Sequence, residues 1–174
     1  MAYCQECGEK LVEKYLKNEG MVPYCERCGQ FRFPGFSSAI SAICYNPSGE
    51  KILLIQQYGR KQNILVAGYV SKGEGVLETL LREIREELGR KVRSCTFNSS
   101  AYFEKSNTML VNFACVLDSE DLSHTNEEID YAAWYTPGEA KAAVKPGGLA
   151  EKFLTEWLSK REKYDESVES RRFD

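Results

Sequence analysis

The sequence predicts a mixed α/β domain preceded by a small cysteine-rich region. Three observations lead there. Two Cys-x-x-Cys pairs fall within the first 33 residues, β-type runs begin after Phe33-Pro34, and a strongly amphipathic helix, VLETLLREIREEL (76–88), stands among those runs. A chain of 174 residues can form one domain with a sizeable core plus a small appendage. The expected divisions are a four-cysteine region at 1–33, the α/β domain at 34–164 and a charged tail at 165–174.

In chain order, SSAISAICYN (37–46) and KILLIQQYG (51–59) read as strands separated by the turn Asn46-Pro47-Ser48-Gly49. NILVAGYV (63–70) is a third strand. The helix at 76–88 follows, with Leu77, Leu80, Leu81, Ile84 and Leu88 expected on its core face and Gly89 as its terminator. Further strands are expected over 92–103, 107–117 and 130–137, and helices over 138–144 and 148–164. The last helix carries Leu149, Phe153, Leu154, Trp157 and Leu158 as an apolar stripe, and from Lys160 onward the chain is mostly charged.

Composition narrows the function classes. Hydrophobic residues make up 43% and charged residues 28%, as in ordinary globular proteins, and the formal net charge of −3 gives no support to bulk binding of nucleic acid or an anionic membrane. No apolar run approaches the roughly 18 residues of a membrane span. The opening MAYCQECGEK lacks the basic-then-apolar pattern of a signal peptide. A cytoplasmic location is therefore expected, where seven cysteines act as thiols or metal ligands rather than disulfides.

Cys4-x-x-Cys7-Gly8 and Cys25-x-x-Cys28-Gly29 are 17 residues apart, the spacing of a four-cysteine zinc site. Two intervening residues let both sulfurs of a pair reach one ion, two such pairs complete a tetrahedron, and the following glycines allow the backbone to turn back. Rubredoxin-like iron uses the same four thiolates, whereas a dithiol redox role needs only one pair. About 33 residues cannot build a core alone, so the metal is expected to be a structural staple. Lysines and arginines in this region (Lys10, Lys14, Lys17, Arg27, Arg32) are matched by Glu6, Glu9, Glu13, Glu19 and Glu26, which argues against nucleic-acid binding. Cys44, Cys95 and Cys115 lie in apolar strand-like runs and are expected to be buried and inert.

The acidic side of the helix raises a chemical question. Glu83, Glu86 and Glu87 lie at i, i+3 and i+4 and so share a face, where like charges repel by a few tenths of a kcal/mol per pair. Converging carboxylates suit Mg²⁺ or Mn²⁺. The preceding loop, Gly68 to Glu74, contains Gly68 and Gly73 and allows close backbone approach, and Arg82 is placed to fix a carboxylate rotamer. Together these suit attack on a phosphoanhydride by a metal-activated water. Periodicity by itself also fits a solvated amphipathic helix.

The pattern Gly68-x5-Glu74-x7-Arg82-Glu83-Ile84-x-Glu86-Glu87-x-Gly89 resembles the signature of the Nudix hydrolase family, departing only at Arg90, where the family has a bulky aliphatic residue. The resemblance implies an α/β/α sandwich with a mixed sheet and divalent-cation-dependent cleavage of a nucleoside diphosphate linked to another moiety. Carried onto this chain, it implies metal ligation by Glu83 and Glu87, with Glu86 as a further ligand or general base, and Arg82 orienting a glutamate. Glu74 would hold the loop geometry or coordinate through water, the Ala67 carbonyl would be a main-chain ligand, and Glu128, with Glu127 as its adjacent alternative, would be the distal acid.

A four-cysteine ribbon before such a domain resembles the NADH pyrophosphatase branch. That branch carries SQPWPFPxS, whereas SSAYFEKS (99–106) keeps the end serines, lacks the tryptophan and prolines, and is one residue shorter. Tyr102 in place of the tryptophan and Tyr69 after the first glycine are candidate stacking surfaces for a nucleotide, and both also read as ordinary strand aromatics. Tyr58, Arg60 and Lys61 form a loop that reads either as a phosphate contact or as solvated. His124, in a polar stretch, is read as an exposed loop residue. The leading expectation is a Mg²⁺- or Mn²⁺-dependent pyrophosphohydrolase with a structural zinc ribbon, homodimeric by resemblance, converting NAD(H) to NMN(H) and AMP. ADP-ribose and other nucleoside diphosphate derivatives follow, NAD-capped RNA is a further option, and the rival class is a nucleic-acid-binding or regulatory module that uses the fold as a ligand sensor.

Overall fold

A computed structural model describes the backbone of residues 3–170 and the side chains of residues 3–162. Of the expected tail at 165–174, only the backbone of 165–170 is described, and residues 171–174 lie outside the described residues. The chain forms two compact units, Met1–Phe36 and Ser37–Asp174.

The first unit is a three-stranded antiparallel sheet of β1 (Val12–Leu16), β2 (Gly20–Cys25) and β3 (Gln30–Phe31). The β1–β2 turn passes through Asn18 at φ 72°, and Gly8 and Gly29 take φ 74° and 66° directly after their cysteine pairs. Those two glycines supply the left-handed backbone that lets each pair curl toward one point.

The second unit is built on a mixed sheet. Its strands are β4 (Ser37–Tyr45), β5 (Ile52–Gln57), β6 (Val66–Tyr69), β7 (Val92–Phe103), β8 (Thr108–Leu117) and β9 (Ile129–Tyr135). The order is β7-β8-β4-β5-β9, with β6 also paired to β4. Among these strands only β4 and β8 pair in parallel. Strand β4 is buried from Ala39 to Tyr45, as its unbroken small and apolar sequence requires for a strand covered on both faces.

Helix α1 (Val76–Leu88) covers one face of the sheet, while α2 (Pro137–Ala143) and α3 (Leu149–Ser170) cover the other. The α1 side buries Ile40, Leu53, Ile55, Leu80, Ile84 and Leu88, and the opposite side buries Ile43, Leu54, Leu65, Phe153 and Leu154. This is the expected α/β/α sandwich with a mixed sheet. Helix α1 ends at Gly89, φ 63°, whose N–H bonds Arg85 O. A Cβ at position 89 would stand 2.8 Å from that of His124, so glycine is required there for space as well as for backbone conformation. Helix α2 starts on a reciprocal cap, with Thr136 N donating to Glu139 Oε2 at 2.9 Å and Pro137 opening the first turn.

Three expectations change. The apolar face of α1 is narrower than its leucines imply, because Leu77 and Leu81 are half exposed whereas Leu80, Ile84 and Leu88 are fully buried. The neighbouring buried stripe is polar and includes Thr79 and Glu87, so the helix is rolled to carry an acid inward. Cys95 is exposed on the sheet-edge strand β7, whereas Cys44 and Cys115 are buried. The last helix reaches Ser170, past the expected 164. Among the described residues, no helix is long and apolar enough to cross a membrane.

The rolled helix makes a stability prediction. Ile84→Ala should cost about 2–5 kcal/mol by opening a buried cavity, and Leu81→Ala less than about 1 kcal/mol. Urea unfolding of the two variants measures the difference.

Candidate functional site

Two sites emerge, one in each unit. In the first, the four cysteine sulfurs lie within 4.8 Å of one another. The Cys4–Cys28 and Cys7–Cys25 separations are 3.9 and 3.5 Å, against the roughly 3.8 Å that sulfurs 2.3 Å from a tetrahedral zinc would show. Burial opposes ionisation of Cys4, yet the Cys7 and Glu6 amides and the Arg32 guanidinium outweigh it and bring the thiol down to about 6. Arg32 Nε donates to Cys4 Sγ at 3.3 Å. The Cys25 thiol is pushed up by burial, a penalty that a bound metal would offset. Four soft sulfur donors gathered within this distance fit zinc.

The second site is a cleft of about 880 Å³ at one end of the mixed sheet. It is made possible by a close approach. A Cβ built on Gly68 would overlap the Glu83 carboxyl carbon, so the glutamate fills the space of the missing side chain. Arg82 organises the acids around it. Its Nε and Nη2 donate to Glu74 at 2.7 and 2.9 Å, and its Nη1 to Glu83 at 2.8 Å and to Glu86 at 3.0 Å. Nη2 also reaches the Tyr69 carbonyl at 3.2 Å, tying the helix to β6.

Glu74 accepts further bonds from Thr79 Oγ1 and Ser71 N, and the Arg82 guanidinium above all holds its carboxyl down at about 2. All this bonding makes Glu74 the fastener of the loop onto the helix. Glu87 is the opposite case. It is 4% exposed and its Oε2 has no hydrogen-bond partner. Burial first, then repulsion from Glu83, Glu128 and Glu86, raises its carboxyl to about 7, against a pull downward from Gln57. Gln57 Nε2, in a residue 8% exposed and lining the same cleft, is also without a well-formed hydrogen bond. Glu128 accepts from Tyr58 Oη at 2.7 Å, which raises the tyrosine pKa.

Ala67, Gly68, Tyr69, Arg82, Glu83, Glu86, Glu87 and Glu128 all line this one cleft. Glu74 stands behind Arg82 rather than on the lining. Tyr102 is not on it either: its hydroxyl bonds Asn107, and the next residue, Phe103, lines the cleft instead. Strand alternation puts the two on opposite faces, so a one-residue difference in register decides which aromatic enters. Of the 58–61 loop, Tyr58 lines the cleft. His124 is exposed and lies 3.8 Å from Asp121. Arg90, where an aliphatic residue was expected, keeps its Nε buried without a hydrogen-bond partner and reaches Asp121 at 3.5 Å. Sequence reasoning passed over Gln57, Phe103, Lys105 and Lys145. For Gln57 a signal existed, since it is two residues after buried Ile55 and must share its face.

Among the described residues, no three carboxylates bring their oxygens as close together as the four sulfurs. Arg82 draws Glu83 and Glu86 to itself, Tyr58 holds Glu128, and the Glu87 Oε2 atom is left without a partner. The all-oxygen donor set and the buried, unsatisfied Glu87 oxygen nevertheless suit a hard divalent cation.

A family model described as the NUDIX domain matches residues 35–158. The chain belongs to the Nudix family. Among curated relatives, the NAD-capped RNA hydrolase NudC of Photobacterium profundum is 26% identical over 160 residues, covering 91% of this chain and 58% of that protein. NudC of Mycobacterium tuberculosis is 31% identical over 121 residues, covering 68% of this chain and 39% of that protein. The chain thus spans at most about three-fifths of the length of these two relatives. Among solved structures, a NUDIX hydrolase from Nitrosomonas europaea aligns with TM-score 0.66 and 16% identity over 94% of this chain and 93% of that one. The NUDIX domain of Shewanella oneidensis NrtR, solved with ADP ribose, aligns with TM-score 0.62 and 11% identity over 79% of this chain and 93% of that one. At these identities the structural likeness concerns the Nudix fold.

The raised Glu87 pKa carries a sign. The folded chain holds this proton up to about pH 7, while the unfolded chain releases it near the ordinary value of 4.5. Without added divalent cation, stability should therefore fall as pH rises through that window, by up to about 3 kcal/mol. Glu87→Gln should flatten the fall, as read from urea midpoints at pH 5 and pH 8. For the cysteine cluster, metal analysis should find about one zinc per chain, and Cys25→Ser should lose it together with the near-ultraviolet signal of Tyr24.

Proposed function

We propose that this chain is a divalent-cation-dependent Nudix pyrophosphohydrolase acting on a nucleoside diphosphate derivative. The observation that carries the reading is the buried Glu87 carboxylate, with its unpartnered oxygen, beside Glu83, Glu86 and Glu128 in a cleft large enough for a dinucleotide. Such a concentration of acid is costly by itself and becomes favourable when cations and a pyrophosphate complete it. Mg²⁺ or Mn²⁺ bound there would neutralise the pyrophosphate and lower the pKa of an attacking water.

The chain's own groups have separable tasks. Glu83 and Glu87 are metal ligands, with the Ala67 carbonyl a main-chain ligand and Glu128 the distal one. Glu86, more exposed than Glu83 or Glu87, is a further ligand or the base that takes the proton from water. Arg82 holds Glu83 and Glu86 at fixed rotamers while Glu74 holds Arg82, so the carboxylates are positioned before substrate arrives. Tyr69 offers an aromatic face at the mouth of the cleft for a base.

NAD(H), cleaved to NMN(H) and AMP, is the first substrate choice, with ADP-ribose next. The curated relatives' description as NAD-capped RNA hydrolases favours the nicotinamide dinucleotide and keeps capped RNA as a second substrate. The divergent loop at 99–106 weighs against strict NAD selectivity. A zinc in the ribbon is structural in this reading, and the active form is a cytoplasmic homodimer. A sensor without catalysis is disfavoured because it has no need of the full set of acids.

A panel of NAD(H), ADP-ribose and dinucleoside polyphosphates incubated with Mg²⁺ or Mn²⁺ tests the proposal. AMP should appear from at least one of them, and Glu87→Gln should lower kcat by about a hundredfold or more. Equal turnover by wild type and variant would remove the site assignment, while strong retention on single-stranded nucleic acid with no cleavage would favour the binding-module alternative.

A further inference from the structure

Arg82 gathers Glu74, Glu83 and Glu86, which leaves two acids of the cleft lining, Glu87 and Glu128, outside its hydrogen bonds. Two consecutive residues at the end of β5 address them instead. Leu53 and Ile55 of that strand share one core with Leu80, Ile84 and Leu88 of α1, so strand alternation aims Gln57 at the same helix. Gln57 is near enough to Glu87 to pull its carboxyl pKa downward against burial. Gln57 Nε2 and Glu87 Oε2 are nevertheless each buried without a hydrogen-bond partner. An unpaired buried donor beside an unpaired buried acceptor is costly unless a further state of the site joins them.

Alternation alone would send the next residue, Tyr58, to the opposite face. Its backbone reverses that direction. Tyr58 takes φ 56°, and the other two described non-glycine residues with positive φ are asparagines, Asn18 and Asn107, which adopt it more readily. The β5–β9 register passes from Gln56–Tyr131 to Gln57–Ile129 and leaves Asp130 out of the ladder, free to accept from Gly59 N at 2.6 Å. This clamp holds the turn in which the Tyr58 hydroxyl donates to Glu128 at 2.7 Å, on the same cleft lining as Gln57. Backbone strain at a bulky residue persists only where its surroundings fix it, and it gathers at functional positions.

We propose that Gln57 and Tyr58 are positioning residues for the two cleft acids that Arg82 does not hold, Gln57 for Glu87 and Tyr58 for Glu128. This rests on the reading of those acids as metal ligands. Once Glu87 is ionised, the Gln57 amide donates to one carboxylate oxygen and leaves the other for a cation. An amide and a phenol suit the task because both are neutral donors. They fix a carboxylate rotamer without cancelling the charge that the cation requires, whereas a second guanidinium would compete with it.

Titration of the full chain with Mn²⁺ alone, after zinc has been supplied to the cysteine cluster, tests this without turnover. The paramagnetic resonance signal of the free ion reads the affinity. Gln57→Met, which keeps length but removes the donor, should weaken Mn²⁺ binding about tenfold. Its urea midpoint without Mn²⁺ should be unchanged or higher, because a buried unpaired amide is removed. Tyr58→Phe should weaken binding about fivefold and should have no further effect in a Glu128→Gln background. Mn²⁺ affinity within about twofold of wild type in Gln57→Met overturns the inference. So does a weaker affinity matched by a lower Mn²⁺-free midpoint, which would mark a packing role, or a Tyr58→Phe effect that survives in Glu128→Gln. Failure of the hydrolysis reading would instead appear as absence of dinucleotide cleavage by a wild type that binds Mn²⁺, with these affinity ratios intact.

Discussion

The close contact between Gly68 and Glu83 is the constraint on which the cleft depends. With no Cβ at position 68, α1 lies against β6 closely enough for a glutamate to occupy the strand's own side-chain space. That approach turns the acidic face of the helix toward the sheet end instead of toward water. It rolls Leu77 and Leu81 outward and Glu87 inward, and it puts the Arg82 guanidinium within reach of the Tyr69 carbonyl. The same contact therefore fixes the helix orientation, the acid positions and the tie between helix and strand.

Arg82 and Glu87 are complementary electrostatic solutions in adjacent turns of one helix. Arg82 collects three carboxylates and strengthens its hold on its own proton, while Glu74 becomes a stronger acid than an ordinary glutamate beneath it. Glu87 has no such partner and retains its proton to near neutrality because burial penalises its charge. A structural ion pair and a poised, unsatisfied acid thus sit five residues apart. Glu87 keeps an oxygen without a partner, and the proposed reading makes it a metal ligand while Arg82 and Glu74 form the scaffold.

The sheet's alternation divides the cleft into chemically different lobes. The α1 side of the cleft carries Gln57, Glu83, Glu86, Glu87 and Glu128, and the α3 side carries Tyr69, Phe103, Leu110 and Leu149. In the proposed reading, reaction class resides on α1 and substrate choice on the β7–β8 and α2–α3 connections. This separation explains how the helix motif matches its family closely while SSAYFEKS (99–106) departs from the NADH pyrophosphatase pattern.

Sequence alone determined α1 to the residue, the six strands of the mixed sheet to within a few residues and the grouping of the four cysteines. Each rests on local chemistry: a 3.6-residue period closed by a left-handed glycine, β-type runs between turn residues, and a metal-ligand spacing. It missed the strands of the ribbon, which are short, mostly exposed and set by turns at Asn18 and Gly29 rather than by apolar alternation. It also could not tell the half-exposed Leu81 from core positions such as Ile84, because a helix's periodicity defines a stripe but not how far it is rolled against its neighbour. Nor could it rank Tyr102 and Phe103, since the irregular β7–β8 register fixes which side chain enters the cleft. Bringing Phe103, Lys105 and Lys145 to the cleft that the acids of α1 also line was decided by tertiary structure alone. Those residues come from the β7–β8 hairpin and the α2–α3 connection, which meet only when the sheet forms, and no local pattern records that meeting.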